Sequence, residues 1–154
     1  PIGMLVVLDS ILNRITQNRA KGKNTFIFID EIYLLFQHEY SANFLFTLWK
    51  RVRKYRACCT GITQNVDDLL QSHTPRTMLA NSEFLVMLNQ AATDRTELAR
   101  LLNISDNQLS YITNVEFGRG LIKCGSAIVP FMDNFPKHTQ LYQWMTTKPS
   151  DLTV

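Results

Sequence analysis

The 154 residues carry 45% hydrophobic side chains, which is enough for one buried core and fits the usual size of a single domain. A net charge of +3, spread along the chain and not gathered into a run, favours anionic partners only weakly, so charge alone does not indicate DNA binding. Cys58, Cys59 and Cys124 are too few and too irregularly spaced for a disulfide framework, which points to a reducing, cytoplasmic setting, and no apolar stretch approaches the ~20 residues that span a bilayer.

The chain opens at Pro1 and Ile2 with no methionine or lead-in, as expected of a piece excised from a longer protein. Over residues 4–20, Leu5, Leu8, Ile11, Leu12 and Ile15 recur at helical spacing, and Lys21-Gly22-Lys23-Asn24 supplies the stop. Thr25-Phe26-Ile27-Phe28-Ile29-Asp30 is a continuous apolar run, the pattern of a strand buried on both faces in a parallel sheet. Ser41 is placed to cap a second helix with Leu45, Leu48, Trp49 and Val52 on one face and Lys50, Arg51, Arg53 and Lys54 on the other. Strands are expected at 56–63 and 83–89, each after a segment long enough for a crossover helix, so the fold class is α/β. A helix at 93–102 follows, then a short one opened by Ser105 and Gln108 at capping-box spacing. Residues 118–123 and 127–132 form a hairpin around Gly125-Ser126, and Pro136 precedes a final helix containing Leu141, Tyr142 and Trp144. There is no internal repeat and no low-complexity segment.

The strongest chemical signal is Phe26-Ile27-Phe28-Ile29-Asp30-Glu31, an apolar strand ending in two acids. This is the Walker B arrangement, in which the first carboxylate, Asp30, anchors a hydrated Mg²⁺ on the nucleotide and the second, Glu31, orients and deprotonates the attacking water. Taken alone it is matched by the plainer account of a strand ending in two solvated acids, because such patterns recur by chance. A second strand, Ala57-Cys58-Cys59-Thr60-Gly61-Ile62-Thr63, ends at Gln64, which could hydrogen-bond both the γ-phosphate and the water; a polar residue that merely ends a strand is the competing account. His38, His73 and His138 are far apart and lack metal-ligand spacing.

These pieces stand in a recognisable order: Phe-Ile-Asp-Glu-Ile-Tyr-Leu-Leu-Phe at 28–36, Trp49-Lys50-Arg51-Val52-Arg53-Lys54-Tyr55, and Thr60-Gly61-Ile62-Thr63-Gln64-Asn65-Val66. Asn89-Gln90-Ala91, Asp94-Arg95-Thr96-Glu97-Leu98, Gly118-Arg119-Gly120-Leu121 and Thr146-Thr147-Lys148-Pro149 continue it. Over nearly its whole length the chain resembles the traffic ATPases of type IV secretion and conjugation, of the TraC, TraE and ConE type in the HerA-FtsK superfamily. The resemblance implies a partial RecA-like fold, with residues 1–154 the C-terminal portion of one ATPase domain and a mostly parallel sheet flanked by helices. It also implies a homo-hexamer at the cytoplasmic face of the cell membrane, working with channel proteins of the secretion apparatus and with DNA as a further partner. The cofactors implied are ATP and Mg²⁺, bound by the full-length protein. In that superfamily an arginine shortly before the sensor strand enters the neighbouring subunit's site, and Arg53 matches it. A solvated basic helix end explains Arg53 as well as it explains Lys50, Arg51, Lys54 and Arg56, and helix-surface pairing explains Arg95.

No Gly-x-x-x-x-Gly-Lys-Ser/Thr occurs in the sequence, and Lys21-Gly22-Lys23 precedes a strand where a phosphate cradle must follow one. These residues alone are therefore expected neither to bind nor to hydrolyse ATP. Two other readings stand beside the motor: a non-catalytic docking module of the secretion apparatus, and a DNA-pumping coupling protein or FtsK-like translocase. In a RecA-like sheet the phosphate-loop strand lies between the sensor strand and the next one. Without it, the gap is expected either to be filled by another chain or, as the favoured outcome, to be closed by strand 83–89 joining 57–63, with displacement of Gln64.

Overall fold

The computed structural model describes residues 2–64, 66–70, 72–133 and 135–148; Pro1, Asn65 and Pro149 of the segments above lie outside them. The chain divides into two compact units, Pro1–Ser82 and Glu83–Val154.

In the first unit, α1 (Ile2–Ala20) buries Leu8 and Ile15, and the Lys21-Gly22 turn leads into β1 (Thr25–Ile29). A 3₁₀ helix, Ile32–Gln37, runs into α2 (Glu39–Arg51), and a second 3₁₀ turn, Val52–Tyr55, precedes β2 (Ala57–Gly61). Two short helices follow, α3 (Asp67–Leu70) and α4 (His73–Ala80). β1 and β2 pair in parallel, from Thr25 opposite Ala57 to Ile29 opposite Gly61. The core is built from Ile32, Leu45, Leu69 and Met78, with Ile29, Phe36, Phe44 and Trp49 packed against it. Trp49 keeps its indole N–H satisfied by donating to Ser82 Oγ at 3.2 Å.

Two expectations for this unit are corrected. β1 is not buried on both faces: Ile27 and Ile29 turn inward, while Phe26 and Phe28 are 68% and 70% exposed. A continuous apolar run shows that a strand can be covered twice, and here cover lies on one side. Ser41 does not cap α2, which begins at Glu39. Its buried hydroxyl turns its single proton back toward Leu35 O, with His38 O at 3.1 Å as the alternative acceptor, at the end of the 3₁₀ helix.

In the second unit, β3 (Phe84–Met87) leads to α5 (Ala92–Leu102), α6 (Asp106–Leu109) with a 3₁₀ turn, Ser110–Ile112, the hairpin β4 (Arg119–Cys124) and β5 (Ala127–Met132), and α7 (Gln140–Met145). The capping box at Ser105 is complete: Gln108 N–H donates to Ser105 Oγ at 3.4 Å and Ser105 N–H to Gln108 Oε1 at 3.0 Å. Gly125 holds the hairpin turn at φ 57°. Leu98, Leu102, Ile104, Ile112 and Leu121 are buried.

The predicted closure of strand 83–89 onto 57–63 does not occur. β3 pairs antiparallel with β4, Phe84 opposite Cys124 and Met87 opposite Leu121, in a sheet ordered β3-β4-β5. Pairing with β4 satisfies one edge of β3, which stands at the end of its sheet with no strand on its other edge among the described residues. The approach is tight: a Cβ on Gly120 would lie 2.2 Å from Met87 O. The fold is thus mixed α/β, with a parallel pair and a three-stranded antiparallel sheet among the described residues.

Candidate active site

The parallel register decides what the ends of β1 and β2 can do. Both strands run the same way, so the residues that follow them leave at the same end. Backbone bonding continues past the strands there: Ile62 N–H donates to Ile29 O at 2.8 Å, and Ile32 N–H donates to Ile62 O at 3.0 Å. These bonds clamp the two exit segments together, Asp30-Glu31 on one and Thr63-Gln64 on the other. Gly61 lets the clamp close, since a Cβ there would stand 2.7 Å from Ile32 Cδ1 and 3.4 Å from Trp49 Cη2.

Asp30 is exposed, and its Oδ1 accepts the Glu31 N–H at 2.9 Å, which fixes the carboxylate against its own backbone. Glu31 is half-buried in the left-handed region at φ 48°, ψ 47°, an expensive conformation for a residue with a Cβ. The turn it makes sends the chain from β1 directly into the 3₁₀ helix and brings Ile32 into the core. Its Oε2 is sealed from solvent and has no hydrogen-bond partner among the described residues. A buried acceptor left open in this way is fit for a water or ligand donor. Gln64 follows β2 by three residues and is exposed.

Arg53 lies elsewhere. It belongs to the 3₁₀ turn before β2 and is exposed at the strand-start end, about 16 Å from the carboxylates for five residues at ~3.3 Å each. Of the four residues singled out in the sequence, Asp30, Glu31 and Gln64 follow the two paired strands and Arg53 precedes the second. Arg119 is paired with Glu116 at 3.0 Å. Among the described residues no group of three or more His, Cys, Asp and Glu could hold a metal ion. Within β2, burial and then the neighbouring Cys58 push the Cys59 thiol up to about 12.

Sequence reasoning missed the strain at Glu31 and the bareness of Gly61. The first had no local signal, because Asp-Glu is not a left-handed turn pair. The second had one: a glycine inside a strand marks a close approach.

A family model described as the TraG P-loop domain matches residues 1–120. No curated protein is significantly similar to the chain. Among solved structures, VirB4 of Thermoanaerobacter pseudethanolicus is similar over 86% of this chain at 26% identity, with a TM-score of 0.74. The chain spans 36% of the length of that protein.

Proposed function

The chain belongs to the TraG P-loop domain family, and we propose that it supplies the magnesium- and water-binding side of an ATP-hydrolysing site in a motor of conjugative transfer or type IV secretion. One observation carries the reading: the backbone clamp between Ile29, Ile32 and Ile62 holds Asp30, Glu31 and Gln64 at one end of a parallel strand pair. The likeness to VirB4 and a family match that covers the first compact unit and continues into the second as far as residue 120 support placing residues 1–154 in one RecA-like ATPase domain. The phosphate-binding loop is then contributed from outside these residues, and the 154 residues alone do not turn over ATP.

Each side chain has a task in this reading. Asp30, oriented by the Glu31 N–H, would hold Mg²⁺ through water. When bound, the ion screens the charge on the terminal phosphates. Glu31 accepts a hydrogen bond from the attacking water on its carboxylate and takes its proton as the water's oxygen bonds to the γ-phosphorus and the bond to the leaving phosphate breaks, a task for which the carboxylate turns its sealed Oε2 or its other oxygen toward the water. Gln64 orients the same water and contacts the γ-phosphate. Arg53, at the wrong end for its own site, acts on the next copy in a homo-hexameric ring at the cytoplasmic face of the membrane, in contact with channel proteins of the apparatus. Among the described residues no helix is long and apolar enough to cross a membrane.

The test uses the full-length protein that carries this segment. Glu31→Gln should keep Mg-ATP affinity and lower turnover by about 10²–10⁴-fold. Wild-type turnover in that variant would remove Glu31 as the base.

A further inference from the structure

Trp49 stands on α2 next to Leu48 and packs against the core of the first unit, yet it remains half-buried. A leucine would fill such a place without a polar atom to satisfy; an indole brings a rigid ring and an N–H that needs an acceptor. Both are used. At one end of the ring, Nε1 donates to Ser82 Oγ at 3.2 Å. That oxygen is itself oriented: the Ser82 hydroxyl donates to Met78 O at 2.8 Å and the Ser82 N–H donates to Leu79 O at 3.1 Å, which leaves a lone pair for the indole. At the other end, Cη2 stands 3.4 Å from where a Cβ of Gly61 would be, and Ile32 fills the same notch, with Cδ1 2.7 Å from that point.

Ile32 and Gly61 belong to the exits of β1 and β2, where the two segments are joined. The Ile32 N–H holds the carbonyl of Ile62, the residue directly after Gly61. Glu31 immediately precedes Ile32, and Gln64 lies three residues beyond Gly61. Glu31 also keeps a left-handed backbone at φ 48°, which a residue with a Cβ holds only where its neighbours fix it. We propose that Trp49, anchored on Ser82, is a positioning residue: its ring, set against Gly61 beside Ile32, fixes the exits of β1 and β2 and through them the placement of Glu31 and Gln64. Trp49 acts through these neighbours and not on the nucleotide. The proposal rests on the ATPase reading of the site.

The experiment measures steady-state ATP turnover of the full-length protein that carries this segment, with Glu31→Gln as the control on the reading itself. Trp49→Phe removes the N–H and shortens the ring, and Ser82→Ala removes the acceptor. Each should lower kcat by about 10-fold, less than the ~10²-fold that an ångström of misplacement can cost. KM for Mg-ATP should stay within about 2-fold of wild type, because the phosphates are held elsewhere. The double variant should lose no more than Trp49→Phe alone, since both changes break one hydrogen bond. Ser82→Thr keeps the hydroxyl and should recover turnover. Amide hydrogen exchange in the same protein, followed on peptides covering residues 30–33 and 61–64, should quicken in Trp49→Phe and Ser82→Ala while peptides of the second unit keep their protection. Ser82→Ala decides the matter if Trp49→Phe fails to fold. The proposal is overturned if the folded variants match wild-type kcat while Glu31→Gln is inactive, if Ser82→Thr loses as much as Ser82→Ala, or if exchange at the two exits does not change. Wild-type turnover by Glu31→Gln would overturn the reading of the site instead, and the exchange measurement would still decide whether Trp49 fixes the strand exits.

Discussion

Replacing Glu31 with glycine is expected to stabilise the first unit while removing the proposed base. Glu31 carries two local costs. Its φ of 48° and ψ of 47° lie in the left-handed region, which costs a residue with a Cβ about 1–2 kcal/mol. Glycine escapes that cost but returns about 0.5–1 kcal/mol through its greater freedom in the unfolded chain. The second cost is Oε2, sealed without a partner, for which about 1–3 kcal/mol is typical. Glu31→Ala relieves only the second and should gain about 1–2 kcal/mol; Glu31→Gly relieves both and should gain roughly 0.5 kcal/mol more. Urea unfolding followed by far-UV circular dichroism separates the two terms, with midpoints rising by about 1 M at unchanged slope. A destabilised Glu31→Ala would mean that the carboxylate contributes a native interaction worth more than its burial cost. Glycine no better than alanine would refute the strain argument.

In the full-length protein, Arg53→Ala should lower turnover by about 10³-fold with ATP affinity nearly unchanged. Mixing it with Glu31→Gln subunits should restore part of the activity, and no recovery in mixed oligomers would count against a role in trans. Gly120→Ala should destabilise the second unit by about 3 kcal/mol, because the new Cβ meets the backbone oxygen of Met87, which belongs to the strand pair itself. Gly61→Ala should cost less, since the terminal methyl of Ile32 is its nearest contact; chemical denaturation of both variants tests the order. Cys59 keeps its proton in the folded chain between its ordinary 9.0 and about 12, chiefly through burial. The unfolded chain loses that proton first, so stability present below 9.0 should fall as pH rises toward 12, and Cys59→Ala should flatten the fall in a pH series of denaturant melts. In thiol titration near neutral pH, the exposed Cys58 and Cys124 should react before Cys59.

What the sequence made legible was local. The capping box at Ser105 and Gln108, the Gly125-Ser126 turn and the acidic end of the 25–30 strand are each specified by residues within a few positions of one another, and each is found. Ser41 shows where locality misleads. A serine before an apolar helix has the look of a cap, but its hydroxyl bonds carbonyls of a preceding 3₁₀ helix that no periodicity announced. Strand 83–89 shows a different limit. Its apolar residues suit any free edge, and the choice between β2 and β4 rests on non-local pairing that hydrophobicity does not encode. The charge distribution failed for the same reason: Arg19 and Arg56 are remote in sequence, and the contacts at Gly22, Thr25 and Tyr55 bring their segments together.

The separation of Arg53 from Glu31 depends on topology more than on side-chain detail. In a parallel pair, whatever follows both strands meets at one end, and whatever precedes the second strand stands at the other. Asp30, Glu31 and Gln64 follow β1 and β2; Arg53 precedes β2. A one-residue slip in register would exchange the faces of Phe26 and Ile27, yet it would not move Arg53 to the carboxylate end. No rotamer of an arginine spans about 16 Å of strand, so a catalytic role for Arg53 requires a second copy. In the proposed ring that copy would sit head to tail, its basic end toward the next copy's acidic one, a heterologous contact that closes only if the rotation between copies does.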